Sequence, residues 1–148
     1  MIYIKEFDEK CNRYLMQFLQ ECLPQSGRKL DLQGRHRIYC NISQSFECFW
    51  CMFDDEDMIG TVALKKINSE SCELKSLYLL ENYHGVGLGY RLIMQAIYFA
   101  KQVGYEEMYL DSLSTSKKAL DLYGKVGFVQ TERYNQSQTA DVFMALKL

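Results

Sequence analysis

The chain has 148 residues, of which 48% are hydrophobic and 24% are charged, proportions typical of one soluble globular domain. A net charge of −2 provides no basic surface for nucleic acid, and no apolar stretch approaches the roughly 18 residues of a membrane-spanning helix. The N-terminus lacks the basic start and apolar core of a secretory signal, so we expect a cytoplasmic protein without nucleic-acid or membrane partners.

The first third of the chain contains a helical pattern. Apolar residues recur at helical spacing over residues 7–22, and Pro24 and Gly27 are expected to close this helix. Residues 28–38 are polar and basic, and they are a candidate for a second short helix.

Alternating apolar residues then predict three antiparallel strands. Residues 45–53 alternate and are rich in aromatic side chains, and an apolar run over residues 58–64 follows the acidic residues 54–57. Two apolar runs around a polar turn predict a β-hairpin. Residues 72–80 read as the next strand, so an antiparallel meander is the simplest arrangement.

All six cysteines lie in the first half of the chain. In a reducing compartment, cysteines behave as small buried hydrophobic residues. Cys48 and Cys51 have the spacing of redox and zinc sites, but they lie in an alternating segment, where residues three apart point to opposite faces of the strand. No further ligands occur at suitable spacing, so the sequence favours neither redox chemistry nor a metal site.

A glycine-rich turn with Gly85, Gly87 and Gly89 leads into the second half of the chain. Apolar residues at helical spacing follow as far as Gly104, which suits a helix C-terminus, and residues 105–110 read as a strand. A strand, a turn, a helix and a strand form a crossover unit, whose two strands are parallel. A helix over 115–125 and strands over 128–133 and 140–146 complete the prediction.

The glycine turn has the chemistry of a diphosphate site. Glycine permits unusual backbone angles and close approach of a ligand, and the first amides of the following helix have no internal partners. The sequence does not match two other phosphate-binding motifs. The Walker loop needs Gly-Lys-Ser/Thr where this chain has Tyr90 and Arg91, and the Rossmann pattern Gly-x-Gly-x-x-Gly fails at Tyr90 or Leu92.

The turn resembles the acyl-coenzyme A-binding motif of the GNAT superfamily, Gln/Arg-x-x-Gly-x-Gly/Ala. Here the motif reads His84-Gly85-Val86-Gly87-Leu88-Gly89. His84 is a departure that removes one cationic or amide contact to the diphosphate. Residues 119–128 resemble the second signature, Ala-x-x-Leu-Tyr-x-x-x-Gly-Phe, and residues 73–79 are similar to the fourth strand of the family, so the resemblance covers roughly residues 46–146.

The resemblance implies an α/β (α+β) fold, with one N-acetyltransferase domain over residues 1–148. About six to seven strands would form a mixed, mostly antiparallel central sheet with about four helices, and a splayed parallel strand pair would form the acetyl-CoA cleft. The implied reaction transfers an acetyl group from acetyl-CoA, without a metal, to a primary amine by direct attack in a ternary complex. The amine would belong to a small molecule or a protein, and family habit favours a homodimer.

The resemblance also assigns residues to the cofactor. The pantetheine arm would pair with the strand backbone at Leu77, Tyr78 and Leu79, and a bulge in this strand would open a slot for it. Ser116 stands where the family often has an asparagine that touches the pantetheine. The residues of the turn that would bind the diphosphate are His84, Gly85, Val86, Gly87, Leu88, Gly89 and Tyr90.

Two residues are candidates for proton transfer. We favour Glu73 as the general base, because a carboxylate beside the thioester slot can accept a proton directly or through water. Tyr123 matches the family tyrosine whose hydroxyl points at the cofactor sulfur, so it is the candidate general acid. Glu47, Glu81 and Asp111 remain alternative bases, and Glu73 as a surface charge or Tyr123 as a core side chain remain alternative readings.

Two other functions stay open at this point. One is a catalytically silent acyl-CoA-binding sensor or interaction module on the same fold, and the other is a nucleotide-binding regulator that uses the glycine turn. In this family, residues 23–45 and 133–139 would shape the acceptor pocket, and they contain no recognisable specificity motif.

Overall fold

The computed structural model describes residues 1–148, and seven segments of the chain are strands of one sheet. The strands are β1 (Ile2–Glu6), β2 (Cys48–Asp54), β3 (Asp57–Lys66), β4 (Ser71–Leu79), β5 (Glu107–Ser112), β6 (Val129–Gln130) and β7 (Val142–Lys147). The helices are α1 (Asn12–Gln25), α2 (Ile42–Ser45), α3 (Leu88–Val103) and α4 (Lys117–Val126). The strand order is β1-β2-β3-β4-β5-β7-β6, which confirms the predicted mixed sheet and the helix count.

Only one pair of neighbouring strands is parallel. β4 and β5 pair over Ser71–Glu73 and Glu107–Tyr109, and every other neighbouring pair is antiparallel. Beyond Glu73 the two strands no longer pair, although β4 continues to Leu79 and β5 to Ser112. The sheet therefore opens into a gap between the C-terminal halves of β4 and β5, as predicted for a splayed pair.

A bulge in β4 accompanies this opening. The pairing with β3 shifts by one residue between Thr61 and Ala63, and Ser76 has a φ of +55° in the left-handed region. The left-handed conformation costs a non-glycine residue roughly 1–2 kcal/mol. Two hydrogen bonds stabilise it, because the Thr61 hydroxyl donates to the Ser76 carbonyl at 2.7 Å and the Tyr39 hydroxyl lies 2.7 Å from Ser76 Oγ.

Alanine usually makes a strand more stable than glycine does, and the strain at Ser76 predicts the opposite order of stability at this position. Ser76→Ala and Ser76→Gly both lose the hydrogen bond to Tyr39, but only glycine relieves the positive φ. We expect Ser76→Gly to be more stable than Ser76→Ala by about 1 kcal/mol in urea unfolding. At Ser112 in β5, which has an ordinary strand φ, alanine should be the more stable. The same order at both positions would contradict a strained bulge.

Two hydrophobic layers lie on opposite faces of the sheet. One packs α3 and α4 against the sheet, and the other packs α1 and α2 against the other face. Cys48 belongs to the first layer and Cys51 to the second, which confirms that the two sulfurs face apart. All six cysteines are free thiols. None of the helices is long and apolar enough to cross a membrane.

The N-terminal part of the chain departs from its prediction in three places. Residues 28–36 form no helix, and the chain makes only a 3₁₀ turn at Arg37–Cys40 before the short α2, because few apolar residues in this stretch fall on one helical face. Helix α1 begins at Asn12, after a 3₁₀ turn at Glu9–Cys11, instead of at residue 7, and it continues past Pro24 by one residue. Strand β1 was not predicted, since its alternation rests on Ile2 and Ile4 alone and its partner, β2, lies more than 40 residues away.

The last two strands are shorter than predicted, because β6 ends early and β7 begins late. The expected strand over 128–133 is limited to Val129–Gln130, and β7 begins at Val142. The intervening residues 131–141 leave the sheet as a loop. This loop lies where the sheet opens, because Asn135 contacts side chains of both β4 and β5.

Candidate active site

A row of unbonded backbone amides marks the entrance to α3. The N–H groups from Gly85 to Tyr90 donate no hydrogen bond within the chain, and the first amide that does is that of Arg91, 3.1 Å from the Gly87 carbonyl. Gly85 and Gly87 have φ values of +83° and +87°, which turn the backbone so that it enters the helix from β4. Free amides and the positive end of the helix dipole together favour an anion.

The glycines of the turn serve two different purposes. A Cβ atom at Gly85 or Gly87 would meet nothing within 4 Å, so both positions border open space and require glycine for their backbone angles. A Cβ atom at Gly89 would lie 3.0 Å from Leu122 Cδ2, so this glycine allows α3 to approach α4 closely. Val86 and Tyr90 are exposed, whereas Leu88 is buried in the core.

His84 connects the turn to the end of β4. Its ring Nε2 lies 2.8 Å from the carbonyl oxygen of Leu79, and because a carbonyl only accepts, Nε2 carries a proton and donates to it. The side chain thus contacts the strand where the family motif has a glutamine or arginine. This contact fixes the turn relative to the edge of the gap.

The pairing of β4 with β3 determines which backbone groups face the gap. The Leu80 amide donates to the Ile59 carbonyl at 2.9 Å, and Tyr78 pairs with Thr61. Because the polar groups of a strand alternate between its two edges, those of Leu77 and Leu79 lie on the edge away from β3. The side chain of Tyr78 points elsewhere, with its hydroxyl 3.4 Å from the hydroxyl of Tyr39.

Tyr123 is a buried tyrosine with a free hydroxyl. It projects from α4 and packs edge-on against Phe128, and only 8% of it is exposed. Its hydroxyl makes no hydrogen bond within the chain, and no fully buried polar side-chain atom lacks a partner, so the hydroxyl itself must reach solvent. Burial raises the pKa of Tyr123, which keeps the hydroxyl protonated and able to donate.

Ser116 precedes α4 at its N-terminal end. Its carbonyl accepts from the Leu120 amide, but its hydroxyl does not cap the helix. The half-buried hydroxyl is therefore free to bind a ligand.

Glu73 lies at the point where β4 and β5 separate, and it is only 7% exposed. Its Oε2 accepts hydrogen bonds from the Tyr134 hydroxyl at 2.6 Å and from Asn135 Nδ2 at 3.1 Å. Asn135 Nδ2 also lies 2.6 Å from Asp111 Oδ2, so one amide group connects carboxylates on both sides of the gap. The other carboxylate oxygen of Glu73, Oε1, has only Lys75 Nζ nearby, at 3.9 Å.

The three alternative bases differ in their surroundings. Glu47 is held by the Tyr105 hydroxyl, which donates to it near the N-terminal end of β5. Glu81 is exposed just after β4. Asp111 alone shares hydrogen-bond partners with Glu73, through Asn135. No group of three or more His, Cys, Asp or Glu side chains is arranged to hold a metal ion.

The sequence did not single out Tyr134, Asn135, Ser76 and Tyr39. Tyr134 and Asn135 fall within the loop expected to shape the acceptor pocket, but the sequence does not show that they contact Glu73. The bulge at Ser76 does leave a signal. Apolar positions that face α3 and α4 shift from even numbers, Cys72 and Leu74, to odd numbers, 77 and 79.

Comparison with known proteins agrees with the geometry of the turn and the gap. The model of the Acetyltransferase (GNAT) family matches residues 12–128. The chain belongs to the GNAT acetyltransferase family. This GNAT chain is 34% identical over 92 residues to an uncharacterized N-acetyltransferase of Schizosaccharomyces pombe, a match that covers 61% of this chain and 56% of that protein. It is 30% identical over 95 residues to human N-acetyltransferase 8B, covering 61% and 42% respectively, so it matches about half the length of these relatives.

Solved structures share the fold of this GNAT chain over its whole length. An acetyltransferase from Streptococcus agalactiae superimposes with a TM-score of 0.89 at 20% identity, covering 99% of this chain and 98% of the other. The PaiA N-acetyltransferase from Thermoplasma acidophilum, in complex with coenzyme A, superimposes with a TM-score of 0.81 at 21% identity, covering 100% and 99%. At these identities, the likeness establishes the fold.

Proposed function

We propose that this GNAT chain transfers an acetyl group from acetyl-CoA to a primary amine by direct attack in a ternary complex. The observation that carries the proposal is the row of free amides from Gly85 to Tyr90 beside the open gap between β4 and β5. A relative of the same fold was crystallised with coenzyme A. A cytoplasmic location and a homodimer remain predictions.

The residues on both sides of the gap fit acetyl-CoA. The free amides of the turn match a diphosphate, and the open space beside Gly85 and Gly87 leaves room for it. On the edge of β4 away from β3, the backbone groups of Leu77 and the amide of Leu79 match the amides of a pantetheine arm, while the Leu79 carbonyl is held by His84. Ser116 contributes a free hydroxyl beside α4. When bound, acetyl-CoA supplies the activated acyl group.

Two side chains move the protons of the reaction. Glu73 takes the proton of the incoming ammonium, because its Oε1 is free of hydrogen-bond donors while Tyr134 and Asn135 hold Oε2 in place. Tyr123 donates the proton that the departing thiolate needs, because its hydroxyl is protonated and has no partner in the chain. A backbone amide of β4 polarises the thioester carbonyl.

Gly87→Ala tests the role of the turn in cofactor binding. Alanine is strained at a φ of +87°, and its methyl group occupies the space assigned to the diphosphate. We expect the Kd for acetyl-CoA to rise about tenfold or more, since a hydrogen bond to a charged group contributes about 1.5–3 kcal/mol. Isothermal titration calorimetry measures this change.

Gly104→Ala is the matched control for this variant. Gly104 ends α3 with a φ of +103°, so alanine there carries the same kind of strain at the far end of the helix. Both variants should lose stability, and only Gly87→Ala should lose affinity for acetyl-CoA. Equal affinities in the two variants would mean that the turn does not bind the diphosphate.

A broad amine screen that detects free thiol tests the transferase activity itself. The protein is incubated with acetyl-CoA and each amine in turn, and release of coenzyme A above the amine-free rate is the expected result. Binding of acetyl-CoA without amine-dependent release would instead favour a silent acyl-CoA-binding module. Thermal stabilisation by ATP or NAD, with none by coenzyme A, would favour a nucleotide-binding regulator.

A further inference from the structure

The segment between α1 and the 3₁₀ turn at Arg37–Cys40 lines a solvent-open cavity of about 520 Å³. Its charged lining consists of Arg28, Lys29 and Arg35 with a single carboxylate, that of Asp31. None of the three cations takes part in an ion pair. Three positive charges and one negative charge give the lining a net charge of +2 (three minus one), so the cavity attracts an anion.

His36 places a hydrogen-bond donor in the same cavity. Its side chain is only 5% exposed, and its Nδ1 accepts a hydrogen bond from the Asp31 amide at 2.9 Å. Burial lowers the pKa of His36, and the neighbouring charge of Arg35 lowers it further, so the ring is neutral. Because Nδ1 accepts, the ring proton is on Nε2.

The Nε2–H group of His36 has no partner within the chain. No fully buried polar side-chain atom of the structure lacks a hydrogen bond, so Nε2 is accessible to solvent, and His36 is one of the residues that line the cavity. The hydrogen bond from the Asp31 amide fixes the tautomer of His36, whose ring lines the cavity together with the unpaired guanidinium groups of Arg28 and Arg35. This combination of groups suits a carboxylate.

Contacts through one tyrosine connect His36 with the bulge of β4. His36 stacks on Tyr39 with ring centroids 6.0 Å apart, and the Tyr39 hydroxyl lies 2.7 Å from Ser76 Oγ at the bulge of β4. The charge of Arg28 also reaches the gap. Burial raises the pKa of Tyr123, and the positive charge of Arg28 opposes that rise.

We propose that Arg28, Arg35 and His36 bind a carboxylate of the acceptor, so that the acceptor is an amine that also carries a carboxylate. This inference rests on the proposed transferase function. Glu73 and Asp111 are connected through Asn135 where the sheet opens, and their charges attract an ammonium group. Opposite charges at the two ends orient a zwitterionic amine with its nitrogen towards the thioester.

Matched amines test this assignment. The standard amino acids are compared with their carboxamides, with the corresponding amines that lack the carboxylate, and with O-phosphoethanolamine. We expect kcat/KM to be about tenfold or more higher for the carboxylate than for the carboxamide or the amine without it in at least one matched set, because neither of these carries the negative charge that pairs with a guanidinium group. Equal use of carboxylate and carboxamide, or preference for the phosphate, would overturn the proposal and leave the transferase function intact.

Arg28→Gln tests the site itself. We expect this variant to raise the KM of the preferred carboxylate amine about tenfold, with kcat and the KM of acetyl-CoA nearly unchanged, and Arg28→Lys to retain part of the affinity. Arg37→Gln is the control, because Arg37 is an exposed arginine of the same segment that does not line the cavity. An unchanged preference for carboxylate in Arg28→Gln would contradict the assignment.

A binding measurement separates the two proposals if no amine releases thiol. Calorimetric titration with the same amino acids and carboxamides then reports on the cavity alone. Binding of an amino acid that is lost in Arg28→Gln and kept in Arg37→Gln would support the cavity although the transferase proposal fails. The absence of any carboxylate-dependent binding would overturn the cavity as well.

Discussion

Replacement of Tyr123 by phenylalanine should lower kcat about 100-fold, with little change in the affinity for acetyl-CoA. The substitution removes the one hydroxyl near the gap that is buried, protonated and without a partner in the chain. The ring stays packed on Phe128, so the fold and the cofactor site should persist. Steady-state kinetics gives kcat, and titration calorimetry gives the affinity.

The pH dependence of kcat provides a second test of Tyr123. Because burial raises its pKa, Tyr123 stays protonated to higher pH than an ordinary tyrosine. At pH values up to about 10, we therefore expect no fall in kcat from deprotonation of Tyr123. Tyr98→Phe is the control, since Tyr98 is an exposed tyrosine on α3. Turnover by Tyr123→Phe equal to that of Tyr98→Phe would remove Tyr123 from the mechanism.

Glu73→Gln should lower kcat/KM about 100-fold near neutral pH. Glutamine has the shape of glutamate and can still accept from Tyr134 and Asn135, but it cannot take a proton from the acceptor. The deficit should shrink as the pH approaches the pKa of the amine, roughly 10 for a lysine-like group, because more of the acceptor then arrives unprotonated. Rate measurements from pH 7 to about pH 10 give this profile.

Two further variants distinguish Glu73 from its alternatives. Glu81→Gln changes an exposed carboxylate just after β4 and should leave the rate unchanged. Asp111→Asn changes the carboxylate that shares Asn135 with Glu73, and its effect should be smaller than that of Glu73→Gln. A larger loss in Asp111→Asn would transfer the role of base to Asp111.

The sequence predicts those parts of the fold and the site that depend only on neighbouring residues. Gly85 and Gly87 adopt the positive φ values that glycine allows, and Gly104 ends α3 in the same conformation. The residues around Tyr123 form the expected helix, because its apolar positions recur at the helical period. The hairpin around residues 54–57 followed from strand alternation and an acidic turn.

Contacts between distant parts of the chain determine the rest, and no local pattern reveals them. Ser76 adopts a left-handed conformation because Tyr39, 37 residues earlier, and Thr61 hold it there. Asn135 meets Glu73 across 62 residues, and the loop that carries it has no periodic pattern. The cavity at Arg28 and His36 lies in a segment whose basic composition is visible in the sequence, but the sequence does not show how this segment folds.

A crystal structure with coenzyme A tests most directly whether the glycine turn binds the diphosphate. We expect diphosphate oxygens within hydrogen-bonding distance of the amides between Gly85 and Tyr90, and a pantetheine arm along the edge of β4 away from β3 at Leu77 and Leu79. A ligand bound elsewhere, or a diphosphate that contacts only side chains while these amides stay hydrated, would contradict it.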